Sequence, residues 1–121
     1  MTVAFIAVVD DDEALGSSLA DLMRSIGYCA EPFATAEALL TSPDRFGLHC
    51  IIADINMPGM SGLNLIDALR QQGIRTPVVL ITALSDKHLD QAAASKGALC
   101  LLRKPFEMSS LLDHIDRSLR R

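Results

Sequence analysis

The feature of the sequence that most constrains its fold is a regular alternation of short apolar runs with longer stretches of helical spacing. Four runs are almost wholly apolar and are bounded by polar or turn residues, which predicts strands buried on both faces of a sheet. They span residues 4–9, 50–53, 78–81 and 98–102. A fifth run, 28–33, contains Glu31 and Pro32. Because proline is confined mainly to sheet edges, we predict that this run is an edge strand.

Between the strands, the apolar residues follow the spacing of one helix face. Five helices are predicted. The first and the last are marked by apolar stripes, from Leu15 to Ile26 and from Met108 to Leu119. The other three are marked by their ends: the second is capped by Thr35 and stopped by Pro43, the third is capped by Ser61, and the fourth lies between Ser85 as cap and Gly97 as stop. The fourth helix has mostly alanines and Leu89 as its apolar residues. A helix that buries little apolar area is easily displaced, so we expect this helix to move.

Five strands alternating with five helices predict an α/β fold, a doubly wound parallel sheet with helices on both faces, because parallel neighbours need crossover connections. The length of 121 residues fits one domain, and a net charge of −4 argues against direct nucleic-acid binding. No apolar run approaches the roughly 20 residues of a membrane span, and the first residues lack the basic start and the small-residue cleavage site of a signal peptide. We therefore predict a cytoplasmic protein without a membrane partner.

The chain has three cysteines, an odd number, and they lack the spacing of metal ligands. Free cysteine behaves as a small apolar residue. We therefore predict buried free thiols at Cys29, Cys50 and Cys100.

The polar residues of interest follow directly after the predicted strands. In open α/β sheets, the functional site lies beyond the carboxyl ends of the strands. The first strand is followed by three aspartates at 10–12, the third by Asp54, the fourth by Thr82 and the fifth by Lys104. Clustered carboxylates repel each other unless a cation is bound, and oxygen ligands without histidine or cysteine favour Mg²⁺ over zinc.

This set of residues suits phosphoryl transfer. A carboxylate can act as the nucleophile and become an aspartyl phosphate, while a metal ion, a lysine and a hydroxyl neutralise or bind the phosphoryl oxygens. Asp54 is the candidate nucleophile because it stands alone at the end of a central strand, whereas Asp10 and Asp11 are adjacent and suited to share a cation. Each residue taken alone also fits a simple helix cap or turn former; the joint pattern favours function.

These residues resemble the receiver domains of two-component response regulators over essentially the whole chain. The similar motifs are the acidic run at 8–12, the loop at 54–62, the Thr82-Ala83 pair and the Lys104-Pro105-Phe106 run. The resemblance implies a flavodoxin-like fold with strand order 2-1-3-4-5. It also implies a phosphorylation-dependent signalling switch that receives its phosphoryl group from a histidine kinase or a phosphotransfer protein, rather than a turnover enzyme.

The resemblance further implies a role for each site residue. Asp54 would accept the phosphoryl group, Asp11 and Asp54 would bind Mg²⁺ together with the backbone carbonyl of Asn56, and Asp10 would hold the metal through water. Thr82 would swing to bond a phosphoryl oxygen. Lys104 would pair with the phosphoryl group, and its bond to Pro105 would be cis.

One position departs from the family pattern. Many receivers carry tyrosine or phenylalanine three residues before the lysine, where this chain has Leu101. We expect weaker relay of the signal through the face formed by helix four, strand five and helix five, which could also form a homodimer. The Lys-Pro-Phe-Glu run is similar to receivers that precede a LuxR-type output domain. We expect residues 1–121 to form the receiver alone, with any such domain outside this sequence.

Two other hypotheses stay open at this point. A Mg²⁺-dependent phosphohydrolase would use two aspartates two residues apart after the first strand. Asp10 and Asp12 have that spacing, but Ala14 stands where threonine or a similar residue is expected. A receiver-like interaction module with a decayed site is the second alternative.

Overall fold

A computed structural model describes residues 3–120. The chain alternates between strand and helix throughout, apart from a 3₁₀ turn at Pro43–Gly47. The strands are β1 (Phe5–Val9), β2 (Cys29–Phe33), β3 (Cys50–Asp54), β4 (Val78–Thr82) and β5 (Cys100–Arg103). The helices are α1 (Glu13–Ser25), α2 (Ala36–Thr41), α3 (Gly62–Gln71), α4 (His88–Lys96) and α5 (Met108–Leu119). All five predicted strands and all five predicted helices are present.

The strands form one parallel sheet in the order β2-β1-β3-β4-β5, which confirms the expected topology. β2 lies at an edge, as its proline predicted. β1 and β3 are neighbours, and Val9 is in register with Ala53. The residues that follow these two positions, Asp10 and Asp54, are therefore brought to the same end of the sheet.

The sheet separates two apolar cores. Successive strand residues point to opposite faces, so β1 gives Ala7 and Val9 to the core beneath α2 and α3, and Ile6 and Val8 to the core beneath α1 and α5. β3 and β4 are buried along their whole length. This burial on both faces explains why their sequences are continuous apolar runs.

Side-chain caps fix where three helices begin. The hydroxyl groups of Thr35 and Ser61 accept backbone N–H bonds at the starts of α2 and α3, as predicted. At the start of α1, the carboxylate of Asp12 accepts the N–H of Leu15. Asp12 thus has a structural role within the acidic run.

The predicted start of α4 was wrong. The helix begins at His88, and Ser85 makes no capping bond; the carboxylate of Asp86 instead accepts the N–H of His88 at 2.9 Å. Ala93 is the one buried residue of α4. The helix therefore lacks the apolar stripe that would fix its boundaries, and the expectation that it has few apolar anchors is confirmed.

The prediction of buried thiols holds for one cysteine and fails for another. Cys50 is buried, and burial raises the pKa of its thiol to about 12. Cys100 is half-buried, and burial raises the pKa of its thiol to about 11. Cys29 is exposed because it begins the edge strand β2, where one side of the sheet has no neighbouring strand.

Among the helices of residues 3–120, none has both the length and the apolar character needed to cross a bilayer.

Candidate functional site

Four strand ends meet at the carboxyl edge of the sheet. Asp10 follows β1, Asp54 ends β3, Thr82 ends β4 and Lys104 follows β5. Asp10, Asp54 and Thr82 are buried, which is unusual for polar residues. The structure thus brings together the residues that the sequence singled out from four separate segments.

Lys104 forms the electrostatic centre of this edge. Its Nζ donates to Asp54 Oδ2 at 2.7 Å and lies 3.5 Å from Asp10 Oδ2. The side chain of Asp10 is fully buried, and that of Asp54 is 8% exposed. One cation therefore bridges two carboxylates that have almost no access to solvent.

Backbone amides orient both carboxylates. Asp54 Oδ1 accepts the N–H of Asn56, and Asp10 Oδ1 accepts the N–H of Asp12, each at 2.9 Å. Each carboxylate consequently has one oxygen fixed by the chain and the other turned toward Lys104. The carboxylate of Asp54 is therefore held in a defined orientation, and only one of its oxygens is bonded to the backbone.

The charges of this cluster shift two pKa values. Burial raises the pKa of Asp10, and the negative charge of Asp54 adds to this, although the N–H of Asp12 and the charge of Lys104 oppose it. Burial also disfavours the ammonium form of Lys104, but the hydrogen bonds and negative charges of Asp54 and Asp10 together outweigh burial and raise the pKa of Lys104. Lys104 is therefore a cation at neutral pH.

The acidic residues form a candidate metal site. Carboxylate oxygens of Asp10, Asp11 and Asp54 lie within 4.8 Å of one another, and Asp11 is exposed. The donor atoms are all oxygen, which fits a hard divalent cation such as Mg²⁺ and does not fit zinc. Lys104 offsets only one of the three negative charges, so a cation would relieve the remaining repulsion.

Thr82 is held by the loops around it. Its buried Oγ1 lies 3.4 Å from Asn56 Oδ1, to which it donates, and accepts the N–H of Leu84 at 3.1 Å. The hydroxyl therefore links the loop after β3 to the loop after β4. Any rotation of this hydroxyl would change the support of both loops.

Two features of this region could be recognised only in three dimensions. A Cβ at Gly62 would lie 2.6 Å from the backbone oxygen of Asp54, so only glycine fits where α3 begins beside β3. Arg103 forms a two-pronged ion pair with Asp90 of α4, with both N–O distances at 3.0 Å, and also donates to the backbone oxygen of Asp86 at 2.8 Å. Arg103 thereby supplies polar anchoring to α4. The Lys104–Pro105 bond is cis, as the resemblance implied.

Comparison with known proteins agrees with this geometry. Residues 6–116 match the family model described as the response regulator receiver domain. The response regulator protein TodT of Pseudomonas putida is 35% identical over 115 residues, which cover 95% of this chain and 51% of TodT. The transcriptional regulatory protein FixJ of Bradyrhizobium diazoefficiens is 33% identical over 119 residues, which cover 98% of this chain and 58% of FixJ. The chain spans about half the length of the curated relatives it matches.

A solved structure shows the same fold. The structure of the Vibrio cholerae chemotaxis protein CheY4 superposes with a TM-score of 0.88 at 28% identity, covering 98% of this chain and 100% of that chain. The shared architecture thus extends over the whole of the described domain.

Proposed function

Because the chain belongs to the receiver domains of two-component response regulators, we propose that it is a signalling switch in which Asp54 accepts a phosphoryl group. The observation that carries this proposal is the pairing of Asp54 with Lys104 at 2.7 Å beside two further carboxylates. An oriented nucleophile, a fixed cation and a cluster of oxygen donors are the groups that phosphoryl transfer to a carboxylate requires.

In the proposed reaction, a carboxylate oxygen of Asp54 forms the new P–O bond. The P–N bond to the donor's phosphohistidine breaks, and the imidazole leaves with the bonding electron pair. The ammonium of Lys104 stabilises negative charge on the phosphoryl oxygens. The N–H of Asn56, which binds Asp54 Oδ1, keeps the carboxylate in place during the attack.

The residues of the acidic cluster fit Mg²⁺ as the cofactor. Asp11 and Asp54 would hold it directly through their carboxylates, Asp10 through water, and Asn56 through its backbone carbonyl. When bound, Mg²⁺ neutralises charge on the carboxylates and on the phosphoryl oxygens. Asp12 contributes through the chain instead, because its N–H orients Asp10 and its carboxylate caps α1.

Thr82 is the proposed sensor of phosphorylation. Its hydroxyl would turn from Asn56 to a phosphoryl oxygen, and this rotation would weaken the bond that it accepts from the N–H of Leu84. The loop after β4 would then be released from its present position. α4 follows this loop directly and buries only Ala93, so it is the element most easily displaced.

The relay to the surface is proposed to be weak, because Leu101 cannot supply the aromatic contact that many receivers use. Leu101 is half-buried against the core beneath α2 and α3. Arg103 holds α4 through Asp90 and Asp86, which further restrains its movement. A homodimer through α4, β5 and α5 is part of the proposal, with only a modest rise in affinity after phosphorylation.

A sensor histidine kinase or a phosphotransfer protein is the proposed phosphodonor, and the cytoplasm the proposed location. Receiver domains are signalling switches, and we propose that this one dephosphorylates itself slowly at most. The relatives are about twice as long as this chain, and FixJ is named a transcriptional regulatory protein. We accordingly propose that residues 1–121 act as the receiver of a transcription regulator whose output domain lies outside this sequence.

Incubation with acetyl phosphate and Mg²⁺, followed by intact-mass measurement, tests the proposal. We expect one stable adduct of the mass of a phosphoryl group. Continuous hydrolysis of the donor without an adduct would instead support a phosphohydrolase. An unchanged mass and no hydrolysis would support an interaction module without phosphorylation. Omission of Mg²⁺ is the matched control and should prevent the adduct.

A further inference from the structure

A pocket lies at the amino-terminal edge of the sheet, opposite the proposed phosphorylation site. It has a volume of about 360 Å³ and forms where the end of α3 and the entry to β4 meet the turn between α4 and β5. Its lining consists of Arg70, Arg75, Pro77, Gly97, Ala98 and Leu99. The length of β4 separates it from Thr82 by roughly 15 Å. It is therefore a site distinct from the acidic cluster.

The two arginines of this pocket lack an acidic partner. Five other arginines lie among the described residues. Arg24, Arg103, Arg117 and Arg120 each pair with an aspartate. Arg45 donates to Gln72 and packs over the ring of Phe46. Within residues 3–120, no carboxylate lies within 4.0 Å of the guanidinium of Arg70 or Arg75. In a chain with a net charge of −4, this concentration of uncompensated positive charge stands out.

Arg70 is also held in a fixed orientation. Its Nη1 donates to the backbone oxygens of Ile74 at 2.9 Å and Thr76 at 3.1 Å. These carbonyls orient the guanidinium but supply no negative charge. Burial lowers the pKa of Arg70, and the positive charge of Arg75 lowers it further. The two cations therefore repel each other across the pocket, and an anion bound between them would relieve that repulsion.

The remaining walls leave room for a ligand. Gly97 has φ 82°, and a Cβ built on it would meet no atom within 4 Å, so the mouth of the pocket is open on that side. Pro77, Ala98 and Leu99 line the pocket with apolar groups. The exposed lining of the pocket is nevertheless mostly polar, so the pocket is suited to a charged ligand rather than to an apolar one.

We propose that this pocket binds a small anion through a phosphate or carboxylate group held by Arg70 and Arg75. The planar guanidinium group matches both kinds of oxyanion with paired N–H donors. The proposal is independent of phosphorylation at Asp54, since the pocket shares no residue with the acidic cluster.

Titration of the isotope-labelled chain with inorganic phosphate and, separately, with succinate tests the proposal by NMR. The buffer is freed of metal by resin, because a soluble chelator would itself be a competing polycarboxylate. Sodium chloride of matched ionic strength is the control for general screening. We expect the backbone chemical shifts of Gly97, Ala98 and Leu99 to change and to saturate at a concentration of at least one probe below about 10 mM. The probe that saturates distinguishes phosphate from carboxylate as the group recognised.

Two variants make the assignment specific. Arg75→Gln should weaken the binding of the saturating probe about tenfold, because it removes one exposed guanidinium group that would pair with the anion. Arg117→Gln removes another exposed arginine, on α5, and should leave the affinity unchanged. Equal binding by Arg75→Gln and the unmodified chain would overturn the proposal. The proposal would also be overturned if sodium chloride caused the same chemical-shift changes or if neither probe saturated. Saturable changes centred on Thr82 and Lys104 would likewise overturn it.

Discussion

Replacing Gly62 with alanine probes how closely the start of α3 approaches Asp54, the proposed phosphorylation site. The new Cβ would lie 2.6 Å from the backbone oxygen of Asp54 and 3.0 Å from Leu80 Cδ2, whereas ordinary contacts are 3.4 Å or more. The oxygen belongs to a buried strand and cannot rotate away as a side chain would. Overpacking of this kind costs about 1–3 kcal/mol, and alanine recovers up to about 1 kcal/mol through the lower entropy of the unfolded chain.

We therefore expect Gly62→Ala to lower the free energy of unfolding by about 1–2 kcal/mol and to slow phosphorylation by displacing Asp54. Urea unfolding in metal-free buffer measures the first effect. Gly47→Ala is the matched control, because its Cβ would meet no atom within 4 Å and its φ is not positive. It should leave stability unchanged or slightly higher. If Gly62→Ala proved as stable as Gly47→Ala, the close packing of α3 against β3 would be refuted.

Three further predictions concern the acidic cluster and the switch surface. Asp11→Asn should weaken Mg²⁺ binding about tenfold or more in a calorimetric titration, because it removes a carboxylate ligand. It should also raise the urea midpoint without metal, because it removes one repelling charge; an unchanged midpoint would place Asp11 outside the cluster. The folded-state pKa of Asp10 is raised above 3.8, so its stabilising contribution is present below that value and is lost as pH rises through the folded pKa. The stability advantage of Asp10→Asn in metal-free buffer should therefore grow from about pH 4 to pH 7, and a constant difference between the two urea curves would contradict this. Leu101→Phe should tighten dimerisation of the beryllofluoride-loaded protein about fivefold in sedimentation, corresponding to about 1 kcal/mol of aromatic contact, and equal affinity would show that Leu101 relays the signal as well.

The sequence was sufficient for the central strands and for the candidate site. β3 and β4 are buried on both faces, so their apolar runs are unbroken and their ends are unambiguous. The position of Asp54 and Thr82 at those ends then follows from the geometry of a parallel sheet. Local sequence alone carried this information, because burial and strand length determine which residue reaches the edge.

Other features depend on contacts between distant segments. The start of α4 could not be located because the helix buries only Ala93, and several polar residues before it could cap a helix equally well. The exposure of Cys29 depends on the placement of β2 at the edge. The ion pair of Arg103 with Asp90 joins residues that are 13 apart and requires β5 and α4 to be in place. Neither apolar spacing nor a short motif encodes such a contact.

The assignment of the phosphoryl group to Asp54 can be tested directly by locating the adduct. The chain is phosphorylated with acetyl phosphate and Mg²⁺, the acyl phosphate is reduced with borohydride, and the modified residue is mapped by peptide mass spectrometry. Reduction converts a phosphorylated aspartate into homoserine, which we predict at position 54 in the unmodified chain and nowhere in Asp54→Asn. Homoserine at Asp10 or Asp12, or an undiminished adduct on Asp54→Asn, would contradict the proposed role of Asp54.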